Sequence, residues 1–254
     1  MSAESVKVHV LLARAGCGSR RVLEDAIRDG RVRINGEVAT IGARVRPGVD
    51  RVEFDGLEIA TEEQREYWLL NKPRGVVSSV VDPEGRPTVR SLVATTSRVY
   101  PVGRLDVDSE GLLILTNDGP LTYQLTHPRF HVPKEYLVWV DRPVPRRLGR
   151  ELREGVEVDG ELLRASSVGT VGPRLVRIVL TEGRNRQIRR MVGAVGLSVE
   201  RLVRVRIGPL VDPHLPPGVA RRLEPRELAR LRRAIGAASL SAHGATGVAG
   251  SDDA

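Results

Sequence analysis

Arg104 and Asp106 lie two residues apart, behind Gly103, in the stretch VYPVGRLDVDSEGLLILTNDG (residues 99–119). The apolar run Leu112 to Leu115 follows, then the polar turn Asn117-Asp118-Gly119. This pattern predicts a loop clamped to a buried strand, holding one carboxylate beside one guanidinium. An opposite charge within a few ångströms favours an ionised carboxylate, and an ionised, positioned Asp can serve as nucleophile or general base. Taken alone, the pair reads more simply as an ordinary salt bridge at a strand end. The nearest other acids, Asp108 and Glu110, read as turn residues. With no second carboxylate or His in a recognised arrangement, an Asp-based hydrolase is the poorer reading.

A second stretch, TEGRNRQIRRM (181–191), concentrates positive charge. With Asn185 as N-cap, Ile188, Met191, Val192 and Val195 fall at i, i+3, i+4 and i+7 and form a buried stripe. Arg186, Arg189, Arg190 and Gly193 fall on the adjoining face. Residues 184 to 206 hold seven Arg and one Glu. A solvated helix this poor in acids leaves like-charge repulsion unrelieved, so the face is expected to meet a polyanion.

The elements that must position these residues follow from pattern. Residues 1 to 7 are expected to fray. A helix, HVLLARAG, stops at Gly16, and Ser19 caps a second, RRVLEDAIRD, ending at Gly30 with Val22, Leu23, Ala26 and Ile27 on its apolar face. RVRINGEVA is a hairpin on the Asn35-Gly36 turn. TEEQRE (61–66), free of apolar residues, reads as a linker. Beyond it YWLLNKPRGVVSSVVD gives a strand, a turn at Lys72 to Gly75 and a second strand. PLTYQLTHP is a short helix, KEYLVWV (134–140) a strand, and PRRLGRELREG a helix. Residues 156 to 180 hold three short strands, VERLVRVRI (199–207) alternates as a strand, and PRELARLRRAI (225–235) is a late helix. From Gly236 the chain is rich in Ala, Gly and Ser and is expected to be a disordered tail.

At 254 residues the chain can hold two domains. Its 40 basic and 32 acidic residues give a net charge of +8, compatible with a polyanionic partner. Only Lys7, Lys72 and Lys134 are lysines; the other 37 basic residues are Arg, which suits bidentate phosphate recognition, although a genome-wide codon bias gives the same excess. Cys17 stands alone, and the five His show no metal-ligand spacing. No apolar run approaches the ~18 residues of a membrane span, and no signal-peptide core is evident. A soluble, cytoplasmic protein is the expectation.

The order helix, helix, hairpin, with LLARAGCGSRR and DGRVRINGEVA, resembles the S-four-type RNA-binding domain over residues 8 to 58. That likeness implies that the Arg face of the second helix, with Arg20, Arg21 and Arg28, contacts RNA phosphates. By composition alone, six Arg against three acids between residues 14 and 33 read as a solvated face with internal ion pairs. Three further strings in fixed order, LLNKPRGVVSS, VGRLDVDSEGLLILTNDG and LTEGRNRQIRRM, resemble the RsuA/RluB-type rRNA pseudouridine synthases, over about residues 8 to 210. VDPEGRPTV (81–89) looks most like the RluB branch, which acts on large-subunit rRNA.

The resemblance implies an α+β chain: a small N-terminal α/β RNA-binding domain (8–60), a linker (61–66) and a larger synthase domain (67–235). The larger domain would be a mostly antiparallel sheet with peripheral helices, ahead of the tail (236–254). It implies Asp106 as nucleophile, Tyr136 packing on the target uracil and Leu180 lining the base's other side. Arg104 would help fill the stack that a flipped nucleotide leaves. Arg184, or failing it Arg186, would pair with Asp106, while Arg189 and Arg190 join the RNA-binding surface. By residue type alone Tyr136 and Leu180 read as core. DSEG follows Asp106 where the family often has a Thr; Ser109 keeps a hydroxyl there.

Isomerising uridine breaks the base–ribose C–N bond, rotates the uracil and rejoins it through carbon 5, with no redox change and no phosphate transfer. No metal or small-molecule cofactor is therefore expected. The implied partner is ribosomal RNA, most of all 23S rRNA or a pre-ribosomal particle, met by a monomer. A small-subunit (16S) rRNA synthase and a non-enzymatic rRNA-binding or ribosome-assembly factor are the alternatives.

Overall fold

The computed structural model describes residues 5–61 and 64–244, and its contacts divide the chain into two units. The first comprises residues up to Arg65 together with Thr95–Arg98, the second Glu66–Ala94 and everything from Val99.

In the first unit, β1 (Val6–Lys7) leads into α1 (Val8–Arg14), and α2 (Arg20–Arg28) follows. Residues 6 and 7 are thus paired strand rather than frayed end. The Ser19 side chain accepts a hydrogen bond from the backbone N–H of Val22, as expected of an N-cap. Leu23, Ala26 and Ile27 are buried, but Val22 is 55% exposed. It sits in the first turn at the edge of the apolar arc, so only three of the four expected positions reach the core. Next come β2 (Val32–Ile34), β3 (Glu37–Val38), β4 (Arg44–Val45), β5 (Val52–Phe54) and β6 (Leu57–Ile59). The order β3-β2-β5-β6 makes a four-stranded sheet, while β4 pairs with β1. Asn35 and Gly36 both have positive φ, 52° and 89°, the signature of the type I′ turn read from the sequence. Val8, Leu12, Leu23, Ile27, Val32 and Val52 are among those that fill this unit's core.

The second unit is built on one twisted sheet. Its strands are β7 (Tyr67–Lys72), β8 (Tyr100–Pro101), β9 (Glu110–Thr116), β10 (Lys134–Val140), β11 (Val156–Val158), β12 (Glu161–Leu163), β13 (Ser167–Gly172), β14 (Leu175–Leu180), β15 (Val199–Ile207), β16 (Leu210–Val211) and β17 (Ala220–Arg222). Its helices are α3 (Gly119–Thr126), α4 (Leu148–Glu154), α5 (Gln187–Ala194) and α6 (Pro225–Gly244). The sheet runs β13-β14-β10-β15-β9-β7-β17, with β16 on β15 and β8 on β9; β11 and β12 form a separate hairpin. Every pairing is antiparallel except β15 with β9, which makes this an α+β fold.

That parallel junction joins the two halves of the sheet, and Gly111 makes it possible. A Cβ there would lie 2.2 Å from the carbonyl oxygen of Arg204, and its φ is +107°, a combination open only to glycine. The apolar run in β9 is continuous because both of its faces are buried. Leu112 and Ile114 pack with Leu69, Leu121 and Ile207, and Leu113 and Leu115 with Trp68, Leu70 and Val99.

Several expectations change. The segment after the Lys-Pro-Arg-Gly turn forms no second strand: Val77 makes one isolated bridge to Thr88, and Ser78 is committed to the backbone of Leu105. Residues 156–180 hold four strands rather than three. Glu66, placed in the linker by sequence, is buried and accepts from the Trp68 indole at 2.8 Å. The late helix continues past Ile235 to Gly244, so the start of the expected disordered tail is helical; residues 245–254 lie outside the described residues.

Candidate active site

Asp106 sits in the loop between β8 and β9, and that loop is held from beneath by the turn that follows β7. The Ser78 hydroxyl donates to the Leu105 carbonyl at 2.8 Å and accepts from the Leu105 N–H at 3.1 Å. The Gly75 N–H donates to the Val107 carbonyl at 2.8 Å. Lys72, fully buried, donates to the carbonyls of Ser109 (2.7 Å) and Pro73 (3.0 Å). Burial pushes the Lys72 ammonium down to about 8, while Asp108, Asp106 and Glu110 pull it upward. The strings LLNKPRG and GRLDVDSEG are therefore one mechanical object: the first carries the loop that presents the carboxylate.

The carboxylate faces a cavity of about 400 Å³, within the usual range for ligand sites. Tyr136 and Leu180 form its apolar wall, both buried. They point the same way because β10 and β14 pair with Lys134 opposite Leu180 and Tyr136 opposite Ile178, and side chains alternate along a strand. Among the described residues that line the cavity Asp106 is the only acid, against Arg104, Lys134, Arg184, Arg186, Arg189 and Arg204.

Of those cations Arg186 holds the Asp, with Nη1 3.6 Å from the Asp106 carboxylate and Nη2 3.3 Å from that of Asp108. Arg186, not Asn185, is the residue that precedes α5, and its left-handed backbone, φ 47° and ψ 30°, is uncommon for a residue with a Cβ. Arg184, expected to pair with Asp106, is instead drawn to Glu161 (3.6 Å) and Glu182 (3.5 Å). Gln187 locks this turn, accepting from the Arg184 N–H and donating to Glu182. Arg104, which the sequence pairs with Asp106, lines the cavity but among the described residues makes no ion pair.

Arg189 reaches the Asp108 carbonyl (3.2 Å) and the Val199 carbonyl (3.1 Å), and burial lowers its pKa. Asp108, read from sequence as a turn residue, is thus the anchor of two guanidinium groups, which hold its pKa below the usual carboxylate value despite partial burial. Glu110 is likewise paired, to Arg201 at 2.9 Å. Arg190 does not line the cavity and serves Glu161, Asp159 and the Val158 carbonyl. The acids absent from residues 184 to 206 are supplied across space, so the like-charge repulsion expected there is relieved. In the first unit Arg20, Arg21 and Arg28 are exposed, Arg28 in an ion pair with Asp25.

Three cavity residues escaped the sequence reading. Lys134 shares the inward face of β10 with Tyr136, and burial together with the charge of Arg204 brings its pKa down to about 8. Arg204 is buried, donates to the Leu112 carbonyl at 2.6 Å, and has one terminal nitrogen without a partner. The buried Ser109 hydroxyl, noted only as a substitute for Thr, is also unpartnered. The signal was present: in KEYLV and in VERLVRVRI a cation occupies an inward position of an alternating strand.

One carboxylate in a cationic cleft, walled by an aromatic and an aliphatic side chain, within a chain that also carries an Arg-rich helix–helix–hairpin unit, defines an enzyme that acts on a base of a nucleic acid. The model of the RNA pseudouridylate synthase family matches residues 66–194 and that of the S4 domain residues 6–50. The chain belongs to the RNA pseudouridine synthase family. It is 42% identical over 240 residues to an uncharacterised RNA pseudouridine synthase of Mycobacterium tuberculosis, spanning 91% of this chain and 94% of that one. It is 38% identical over 234 residues to the ribosomal large subunit pseudouridine synthase B of Bacillus subtilis, spanning 89% and 95%. A crystal structure of a pseudouridylate synthase superposes with a TM-score of 0.66 at 31% identity, covering 89% of this chain and 99% of that one.

Proposed function

We propose that this enzyme converts a uridine of large-subunit (23S) ribosomal RNA to pseudouridine, with Asp106 as the group that attacks the nucleotide or stabilises charge as the glycosidic bond breaks. The supporting observation is the solitary carboxylate itself. A cleft built only to bind RNA gains nothing from an acid among its cations, yet Asp106 is held there by Arg186 and by a loop fixed at four backbone points. The target uridine leaves its stack at a cost of a few kcal/mol. Stacking on Tyr136, opposed by Leu180, returns ~1–3 kcal/mol. The isomerisation balances within the nucleotide: the C1′–N1 bond breaks, a C1′–C5 bond forms, the C5 proton leaves and N1 gains one.

The large-subunit assignment rests on the name of the Bacillus relative and its high coverage. The protein is taken to act in the cytoplasm as a monomer, on 23S rRNA or a pre-ribosomal particle; no helix among the described residues is long and apolar enough to cross a membrane. Asp106→Asn is expected to keep RNA affinity and lose pseudouridine formation, read by pseudouridine mapping of rRNA treated with each protein. Turnover by that variant would remove Asp106 from the chemistry. Mapping both rRNAs from a strain that lacks the protein tests the substrate, and a missing small-subunit site would overturn the large-subunit choice.

A further inference from the structure

The helix that closes one lip of the cleft carries a feature the chemistry does not use. Tyr123, on α3, is 46% exposed in a chain with only 3% aromatic residues. The exposed Arg129 lays its guanidinium 5.1 Å from the Tyr123 ring centre and 4.6 Å from that of Phe130. Phe130 is buried and anchors the group in the core. The His127 ring lies 4.9 Å from Tyr123, and its Nδ1 accepts from the Arg129 N–H at 3.3 Å, which fixes the ring. Four side chains thus form an ordered aromatic–guanidinium shelf on the surface.

Surface packing alone does not account for its charge. Residues 119–134, GPLTYQLTHPRFHVPK, contain no acid, and Arg129 makes no ion pair among the described residues. The arginines in and just before α5, by contrast, are tied to acids or carbonyls. Asp118, at the helix N-terminus, is buried and already bonded to the Tyr67 hydroxyl and the Leu121 N–H. An exposed, flat, cationic surface with no acid of its own matches a nucleobase and its phosphate, since bases stack on aromatic rings and on guanidinium planes alike.

The shelf is also continuous with the cleft. Thr126, three residues after Tyr123 and so about 5–6 Å away on the same helix face, lines the cavity. Its methyl stands 3.6 Å from where a Cβ on Gly103 would be, next to Arg104. We infer that Tyr123 and Arg129 form a stacking subsite for a nucleotide adjacent to the target uridine, so that the enzyme grips a neighbour of the base it flips. This rests on the RNA-isomerase reading above.

The test uses the full-length protein and a synthetic RNA hairpin carrying the uridine that mapping identifies, with each neighbouring nucleotide in turn made abasic. Tyr123→Ala and Arg129→Ala are each expected to raise KM about tenfold, as one lost base stack does, while Tyr123→Phe restores the wild-type value. The abasic RNA should cost the wild type a similar factor and cost Tyr123→Ala almost nothing more. Equal losses for the abasic RNA in both proteins, or an unchanged KM in the Ala variants, would overturn the subsite while leaving the isomerase reading intact. No pseudouridine from the wild type on any rRNA would remove both.

Discussion

The two Arg-rich segments of this protein handle their charge in opposite ways. Around α5, Arg184, Arg186, Arg189 and Arg190 each meet a carboxylate, and Arg189 and Arg190 also bind backbone carbonyls. On α2 only Arg28 is paired, with Asp25; Arg20 and Arg21 are exposed and make no ion pair among the described residues. A guanidinium already engaged has little left for a phosphate, because a new contact must first give up the old one. Arg184, Arg186 and Arg189 therefore shape the cleft, whereas Arg20 and Arg21 are exposed with no competing ion pair among the described residues. Equal density of Arg in sequence conceals different work.

The largest expected effect breaks this contrast at its strongest point. Arg186→Gln removes the cation shared by Asp106 and Asp108 and leaves the carboxylates 2 residues apart without their common partner. Loss of one preorganised electrostatic contact in an active site costs about 10²–10³ in turnover, and a fall of that order in single-turnover rate is expected. Arg184→Gln, whose partners are Glu161 and Glu182, should cost far less. A larger loss from Arg184→Gln than from Arg186→Gln would show that the pairing rearranges when RNA binds.

The pairing also marks where sequence stops being informative. The loop with Asp106, the buried strand behind it, the Asn35-Gly36 hairpin and the Ser19 cap were legible because each depends on residues close in sequence. Tyr136 and Leu180 reached the site through the family strings, since residue type alone placed them in the core. Whether Arg184 or Arg186 meets Asp106 depends on the left-handed backbone at Arg186, which no propensity announces. Most of the acids that neutralise the arginines around α5 lie in the β11–β12 hairpin and in the loop at Asp106 and Asp108, distant in sequence and invisible to a reading confined to residues 184–206. The strand expected after Gly75 fails for a related reason, since the Val77 backbone bonds to Pro87 and Val89 in an isolated bridge and the Ser78 side chain is committed to Leu105.

A second effect separates desolvated cations from solvated ones by pH. Burial holds Lys134 near 8, below its ordinary 10.5. Below pH 8 the folded and unfolded chains both carry the ammonium, and folding bears the full cost of burying it. Between about 8 and 10.5 the unfolded chain still binds the proton while the folded one has lost it, so stability rises with pH there. Relative to Lys134→Met, the wild type should therefore gain stability on the order of 1–3 kcal/mol across that window, read as the difference in urea midpoints at pH 7 and pH 10. The corresponding pair of Arg20→Gln and wild type should show no such window, because guanidinium stays charged throughout. A difference between Lys134→Met and wild type that is flat across the window would mean that Lys134 is solvated and that the cleft does not exclude water from its base.

The smallest effect sharpens the contrast from the other side. Each phosphate neutralised by a free cation adds about 0.7 to 0.9 to the slope of log affinity against log salt. Arg20 and Arg21 should both contribute to that slope, so Arg20→Gln with Arg21→Gln is expected to lower it by about 1.4–1.8 and to weaken RNA binding mainly at low salt. Arg28→Gln should lower it less, because Asp25 already competes for that guanidinium. Arg190→Gln, whose guanidinium is bound to Glu161, Asp159 and the Val158 carbonyl, should leave the slope unchanged even though it sits in an equally Arg-rich segment. The ranking discriminates between mechanisms where a single affinity does not. If Arg190→Gln changes the slope as much as the α2 pair does, then RNA displaces the acids around α5, and the division between cleft-shaping and RNA-facing arginines is lost.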